Sequence, residues 1–503
     1  MFLAGAGSML LVAFWVLISI ALAPSKGLVY DVRGARYGGP LTWPARWFHL
    51  GTLAKGHLTY TYLALMLVLI LAYAAAVYLV RNDNSRNATA IIGGFFFVFA
   101  VMFLVIPIWA STDIFSYAFY GRSMAIYHAN PYILVLAARK ADIFYPYAGW
   151  HFNASVYGPV FNFFSYGITR IAGNSITSNV LGFKALAVAC YAGSLPIVFT
   201  LTRRVSPGKE NFALAVTAWS PLMLMHIAGG GHNDALMVLF VLAAFLLYRK
   251  DHALAGLFVM TLAVMVKVSA VLALAPYVVL YVREARTNPL RRLGGAVAVV
   301  VLVPMLLYAP FWQGTRIFDS TIRMSKLISF GSVPRLLSSE GQDMLGHLGF
   351  SATRAASISN ETAQLLFMAL FGFLTLYLLT RVKDFRSMIV VSGAIILLWF
   401  LTSSYVVPWY LGLGLMVSAI AGWNWLTGTY IATSFVFLLY HVPDTGNPRV
   451  LGIDRHGAFT YLSLPCLIIL AALLLYGSRH TWTRRSEARL TSGEGASEVV
   501  REA

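Results

Sequence analysis

The sequence predicts an all-α polytopic membrane protein. Three observations carry that prediction. Of 503 residues, 59% are hydrophobic and 11% charged, where a soluble chain has about 25% charged residues. Mean hydropathy is +0.73. Apolar runs of spanning length recur from end to end, and about 20 apolar residues suffice to cross a bilayer. A soluble enzyme, a disordered chain and a singly anchored peripheral protein are excluded. So is an outer-membrane barrel, whose strands alternate apolar and polar residues. Cys190 and Cys466 both lie in apolar runs, so no disulfide framework or zinc site can be built from them.

Spans are expected near 2–24, 57–80, 90–110, 176–201, 212–228, 235–248, 294–310, 364–380, 387–404, 410–427, 428–440 and 459–476, giving a bundle of about 12–14 helices counting the two halves of 254–282. The first lacks a basic leader and reads as a retained helix. Segment 254–282 has basic clusters on both flanks and reads as a hairpin of two short helices that starts and ends on one face. Residues 1–476 form one transmembrane domain, and 477–503 a polar, disordered tail. No repeat of fixed period appears.

The net charge of +18 would suggest nucleic acid in a soluble protein. Here the charges lie between spans, so membrane orientation and lipid headgroups account for them, and no nucleic-acid partner is expected. Segments 81–88, 202–211, 249–253, 283–293, 381–386 and 477–503 hold 19 Lys/Arg in 67 residues. The remaining connections, 25–56, 111–175, 229–234, 311–363 and 441–458, hold 16 in 174. The denser set is cytoplasmic by the positive-inside rule. Both termini are then inside, and the long segments 111–175 and 311–363 are outside. Loops of that length in a compact protein are commonly functional. Segments 113–127 and 153–171 are amphipathic enough for surface helices.

Five constellations stand out. The first is STDIFSYAFYGR, 111–122. In a helix Asp113, Tyr117 and Tyr120 share a face at i, i+4 and i+7, with Arg122 close behind. A carboxylate beside two phenols at a membrane surface can take a proton from a sugar hydroxyl. The blander reading is that Asp113 favours a helix N-terminus after a Ser111 or Thr112 cap. The second is IAGGGHNDALM, 227–237. Glycines admit close backbone approach to a ligand and a helix start attracts anions, with His232, Asn233 and Asp234 on the first turn. Against that, Asn and Asp are ordinary caps. The third is Lys267, flanked by apolar residues and costly unless paired or wet. Snorkelling is its alternative. The fourth is a set of aromatic–proline corners, NPY 130–132, YGP 157–159 (with Tyr157) and VPWY 407–410 (with Trp409 and Tyr410). These suit sugar stacking or interfacial anchoring. The fifth is Arg316, Arg323, Lys326 and Arg335, suited to phosphate or simply solvated. Walker, dinucleotide, HExxH and GxSxG motifs are missing, and no ligand cluster has metal spacing.

In this order, the outer Asp with its SYxxxG-like stretch, NPY, YGP, SPLMLMHIAGGGHNDALM, a lone Lys in an apolar run and PWY resemble the polyprenyl-phosphate-mannose-dependent α-1,6-mannosyltransferases of actinobacteria, integral-membrane glycosyltransferases of GT-C fold. The resemblance covers roughly 90–420, and GGGHNDALM is its most specific piece. It implies a polyprenyl-phosphate-linked mannose donor, a lipid-linked or glycan acceptor at the outer face of the cell membrane, inversion at the anomeric carbon, Asp113 as general base, and no metal or other cofactor. Segments 311–363 and 441–458 depart from it and carry no aligned donor motif. The rival reading from the residues is a transporter or flippase of a lipid-linked saccharide. Such proteins often show inverted repeats, and here one interrupted hairpin has no matching half.

Overall fold

The computed structural model describes residues 1–22, 29–30, 42–47, 55–109, 111–285, 288–329, 331–439, 449–450 and 453–454, with Pro465 and Ile468. The expected span 459–476 and tail 477–503 lie outside these apart from the two single residues. The helices are α1 (Phe2–Ala21), α2 (Trp43–Trp47), α3 (Lys55–Leu79), α4 (Arg86–Val105), α5 (Asp113–Ala125), α6 (Pro159–Ala172), α7 (Ile176–Val205), α8 (Glu210–Ala218) and α9 (Asp234–Arg249). They continue as α10 (Ala253–Val264), α11 (Val271–Arg283), α12 (Pro289–Tyr308), α13 (Asp319–Ser325), α14 (Val333–His347), α15 (Ala352–Leu379), α16 (Phe385–Thr402), α17 (Leu411–Ile420) and α18 (Trp425–Leu438). Two pairs of two-residue strands are the extended structure among the described residues. One joins Val29–Tyr30 to Ile108–Trp109, and the other joins Arg449–Val450 to Ile453–Asp454.

This is an all-α polytopic membrane protein. Seven of the described helices are long and apolar enough to cross a bilayer, lying in α1, α3, α4, α7, α12, α15 and α16. Shorter apolar helices fill the space between them. Expected span 212–228 is α8 followed by a wide π turn at Met223–Ala228. The single span expected at 410–427 is corrected: α17 stops at Ile420. Gly422 then adopts φ +75°, a conformation that favours glycine. The Asn424 side chain accepts from the N–H groups of Leu426 and Thr427 and starts α18 anew.

The hairpin at 254–282 is present. Helices α10 and α11 run up and back around a break at Met265–Lys267. The Tyr277 hydroxyl donates to the Ala253 carbonyl at 2.7 Å, and the Tyr248 hydroxyl to Glu284 Oε2 at 2.6 Å. Both ends of the hairpin therefore sit beside the C-terminus of α9. Its tip, with Lys267, sits beside the N-terminus of α9.

The short basic connections meet at that same end. Lys209 Nζ donates to the Arg81 carbonyl and to Asn82 Oδ1. Arg386 donates to the Val205 carbonyl, and Arg283 to that of Val382. The charge-dense segments 81–88, 202–211, 283–293 and 381–386 are thus neighbours in space and make up the basic end of the molecule. At the opposite end the two long connections interlock. The Ala154 N–H donates to Ser320 Oγ at 3.0 Å, Arg323 donates to the Phe152 carbonyl, and the Ser329 N–H donates to the Ser404 carbonyl at 2.8 Å. Expected surface helix 113–127 is α5, and 153–171 shortens to α6, because Gly158 and Pro159 set its start.

Candidate active site

A cavity of about 320 Å³ opens under the interlocked loops. Its floor is the first helix face predicted from sequence: Asp113, Tyr117 and Tyr120 all line it. Helix α5 begins at Asp113 after Thr112, whose side chain makes no cap bond. The Asp113 carboxylate does not cap the helix either. Its Oδ1 accepts from Trp150 Nε1 at 3.1 Å, and 16% of the side chain is exposed. Burial among aromatic rings pushes this carboxyl up from its ordinary pKa, partly offset by the Trp150 N–H and the positive charge of Lys267. The group remains an acceptor with a free face toward the cavity.

His232 stands behind Asp113. Its Nδ1 is 3.9 Å from Asp113 Oδ2 and 3.4 Å from the Tyr117 hydroxyl. Its ring is fully buried and stacks on Trp409, with centroids 3.8 Å apart and planes 16° apart. The residue contributes through its neighbours and is not part of the cavity wall. The Tyr157 hydroxyl donates to that of Tyr117 at 3.5 Å, and the two rings meet edge to face.

Lys267 projects from the hairpin tip. Its ammonium donates to both oxygens of Asp234 at 2.8 Å and lies 4.4 Å from the Tyr410 ring centroid. Lys267 and Tyr410 line the cavity, and Asp234 is sealed beneath them. Snorkelling is therefore not what this lysine does. Gly158 explains how the tip is held: its N–H donates to the Val266 carbonyl, and a Cβ there would run into the Met265 backbone. The YGP corner is a clamp on the broken helix, and it carries Tyr157 into the site.

The three glycines before His232 have a steric cause. Gly229 packs on Phe103 and Trp109, Gly230 on the His232 ring, and Gly231 (φ +65°) on Ile114 and Lys184. All three are buried, so the ligand cradle expected from them gives way to close packing of α9 on α4, α5 and α7. Asn233 is buried with no hydrogen-bond partner for either amide atom and does not reach the cavity.

Arg122 is set apart. It is buried, with Nε 2.8 Å from Asp142 Oδ2 and a second bond to Asn174 Oδ1. Asp142 also accepts from the Tyr127 hydroxyl and the Phe144 N–H. This network fixes the first long connection away from the cavity. NPY is likewise scaffold, since Asn130 donates to the Phe311 carbonyl and Tyr132 packs on Tyr308 and Phe311. Arg323 bonds Phe152 and Ser320, while Arg316 and Lys326 are exposed.

Sequence reasoning missed Trp150, Asn153, Thr321, Trp399, Ser403 and Ser404, which complete the wall. A tryptophan that ends a polar loop is the one signal that could have drawn attention to Trp150. The cavity continues past Ser325, Trp399, Ser403 and Ser404 into a groove of about 600 Å³ along α15. That groove is bordered by Leu365, Phe367, Met368 and Phe371, with Lys326 at its mouth.

Known proteins match the part of the chain that carries most of these residues. Residues 35–283 match the family model described as alpha-(1->6)-mannopyranosyltransferase, N-terminal domain. The chain is 28% identical over 170 residues to alpha-(1->6)-mannopyranosyltransferase A of Corynebacterium glutamicum, covering 34% of each chain. It is 28% identical over 167 residues to the protein of the same name from Mycobacterium tuberculosis, covering 32% of each. The aligned stretch thus spans about a third of either relative. Asp113, Tyr117, Tyr157, His232, Asp234 and Lys267 all lie inside residues 35–283, so the region similar to the alpha-(1->6)-mannopyranosyltransferases is the one that carries most of the candidate site.

Proposed function

We propose that the protein transfers a hexose, mannose by its relatives' names, from a polyprenyl-phosphate carrier to a hydroxyl of a lipid-linked or glycan acceptor. The observation that carries this reading is the pairing of Asp113 and Lys267 across one cavity. One is a carboxylate with an open face, the other an ammonium anchored from behind. The acceptor hydroxyl gives its proton to Asp113 as its oxygen forms a bond to the anomeric carbon. The bond from that carbon to the phosphate oxygen breaks, and the polyprenyl phosphate leaves with the electron pair. Attack from the face opposite the leaving group inverts the centre. A phosphate needs little acid assistance to depart, so a base and a positive charge are the groups the reaction requires. Lys267 meets the phosphate charge, and Asp234 holds the ammonium in place. Tyr117, Tyr120, Tyr157, Trp409 and Tyr410 offer faces and hydroxyls to the sugars. The groove along α15 offers Leu365, Phe367, Met368 and Phe371 to the isoprenoid tail and shares a wall with the cavity, with Lys326, Glu361 and Gln364 also on its lining.

By the charge distribution the cavity faces outward. Cysteines in place of Phe152 and Thr321, both exposed at the cavity end, should react with an impermeant thiol reagent from outside, and cysteines beside Arg204 and Arg292 should not. The reverse pattern overturns the orientation. The chemistry is tested with reconstituted protein, radiolabelled polyprenyl-phosphate mannose and glycan acceptors. Asp113→Asn keeps the shape and loses the base, so turnover should fall about 100-fold or more while donor binding persists. Turnover near the wild-type rate would remove Asp113 from the mechanism.

A further inference from the structure

A second cavity, of about 530 Å³, lies at the basic end between α3 and α18, far in the fold from the site above. The two helices touch near the cavity end, where the Tyr62 hydroxyl donates to the Leu438 carbonyl, and again midway, where Tyr73 and Phe435 meet edge to face. Beyond that they part. Val77 and Ile431 form apolar walls, Arg81 and Lys209 stand at the rim, and Trp423 is 63% exposed beside them.

Gly428 is the informative residue. It sits inside α18, where glycine costs about 1 kcal/mol relative to alanine. Its φ is not in the left-handed region, and a Cβ built on it meets nothing within 4 Å. Among the described residues, neither backbone conformation nor packing asks for glycine there. What the missing side chain leaves is room in the groove.

We propose that this groove binds an anionic phospholipid, with an acyl chain along Val77, Gly428 and Ile431 and the headgroup phosphate at Arg81 and Lys209. The charges are placed for it. The Arg81 guanidinium carbon lies over the Tyr78 ring, 3.6 Å from its centroid, and among the described residues no hydrogen bond from this side chain to protein is found. Its N–H edge is available to a phosphate, which arginine can take bidentately. Lys209 Nζ is fixed at the same rim by the Arg81 carbonyl and Asn82. Trp423 and Tyr78 are aromatics of the kind that settle at headgroup level. The neighbouring face of α3, with Leu67 and Leu71 exposed, is apolar enough to lie in lipid.

Native mass spectrometry of the full chain in detergent, titrated with phosphatidylglycerol and phosphatidylcholine of identical acyl chains, tests this. The wild type should retain the anionic lipid at least about fivefold more than the zwitterionic one. Gly428→Leu, which fills the groove and favours the helix, should abolish retention. Ile431→Phe, acting from one turn away, should do the same if Gly428→Leu does not fold. Arg81→Gln combined with Lys209→Gln should keep lipid but lose the preference. Equal retention of both lipids by the wild type, or retention of neither, overturns the proposal. Undiminished retention in folded Gly428→Leu or Ile431→Phe does so as well.

Discussion

At the basic end, Lys209 donates to the Arg81 carbonyl, Arg386 to that of Val205 and Arg283 to that of Val382. Each of these cations takes a carbonyl at or just past a helix C-terminus, the end where positive charge is favoured. At the cavity end, Lys267 faces a carboxylate in a sealed position, and Asp113 faces open space. A charge spent on a carbonyl at a water-exposed terminus stabilises the fold modestly. A charge held at membrane depth is costly unless something repays it. The cavity end holds charge away from bulk water at two residues within one small volume, and the proposed reaction uses both.

The same contrast separates two buried ion pairs. Arg122–Asp142 and Lys267–Asp234 both close at 2.8 Å. The first is satisfied on every side by Asn174, Tyr127 and Phe144. The second keeps its ammonium against the cavity. The largest expected effect comes from breaking them one at a time. Lys267→Met leaves Asp234 buried without its cation, and removing one partner of such a pair costs about 3–5 kcal/mol. Arg122→Met should cost a similar amount, read as loss of thermal stability in detergent. Turnover per folded molecule should then divide them: near wild type for Arg122→Met, and reduced at least about 100-fold for Lys267→Met. Adding Asp234→Asn to Lys267→Met should restore stability and leave turnover low. Equal turnover in the two single variants would dissolve the distinction.

That distinction was only half legible in the sequence. The face of Asp113, Tyr117 and Tyr120 follows from helical spacing, and the hairpin from its basic flanks, because both depend on neighbours along the chain. Arg122 lies on the same helix and looked equally suited to substrate. Its fate depends on Asp142 and Asn174, which are 20 and 52 positions away, and no local pattern announces such pairing. The three glycines looked like a ligand cradle because a close approach of backbone to something is what glycine signals. The something is Phe103, Trp109, Ile114 and the His232 ring. Trp150, Trp399, Ser403 and Ser404 join the wall only because two long connections interlock above it, a tertiary fact that single-chain periodicity does not contain.

A smaller effect should sharpen the account of Asp113. The base must be ionised, so turnover should fall as pH drops through its raised pKa, and the acid limb should lie above the ordinary carboxylate value near 4. The Trp150 N–H favours the ionised form. Trp150→Phe removes that bond, and a hydrogen bond to a charged group is worth about 1.5–3 kcal/mol. The acid limb should therefore move further up by about one pH unit or more, with turnover at high pH little changed. A limb that stays put, or moves down, would mean that Trp150 does not act on the Asp113 carboxylate.

The smallest effect belongs to the basic end. Arg386 donates to the Val205 carbonyl at 2.6 Å and approaches Ser206 Oγ at 3.4 Å, tying the start of α16 to the end of α7. Arg386→Gln shortens the side chain and removes the charge from that terminus. A net hydrogen bond with a favourable dipole contact is worth about 1 kcal/mol. The melting temperature should fall by a few degrees at most, since a span of this size loses only about 2–4 °C per kcal/mol. Turnover and the pH profile should be unchanged, because no described contact links Arg386 to the cavity. If Arg386→Gln instead lowers turnover as the cavity variants do, the two ends are coupled, and charge at the basic end serves the reaction as well as the fold.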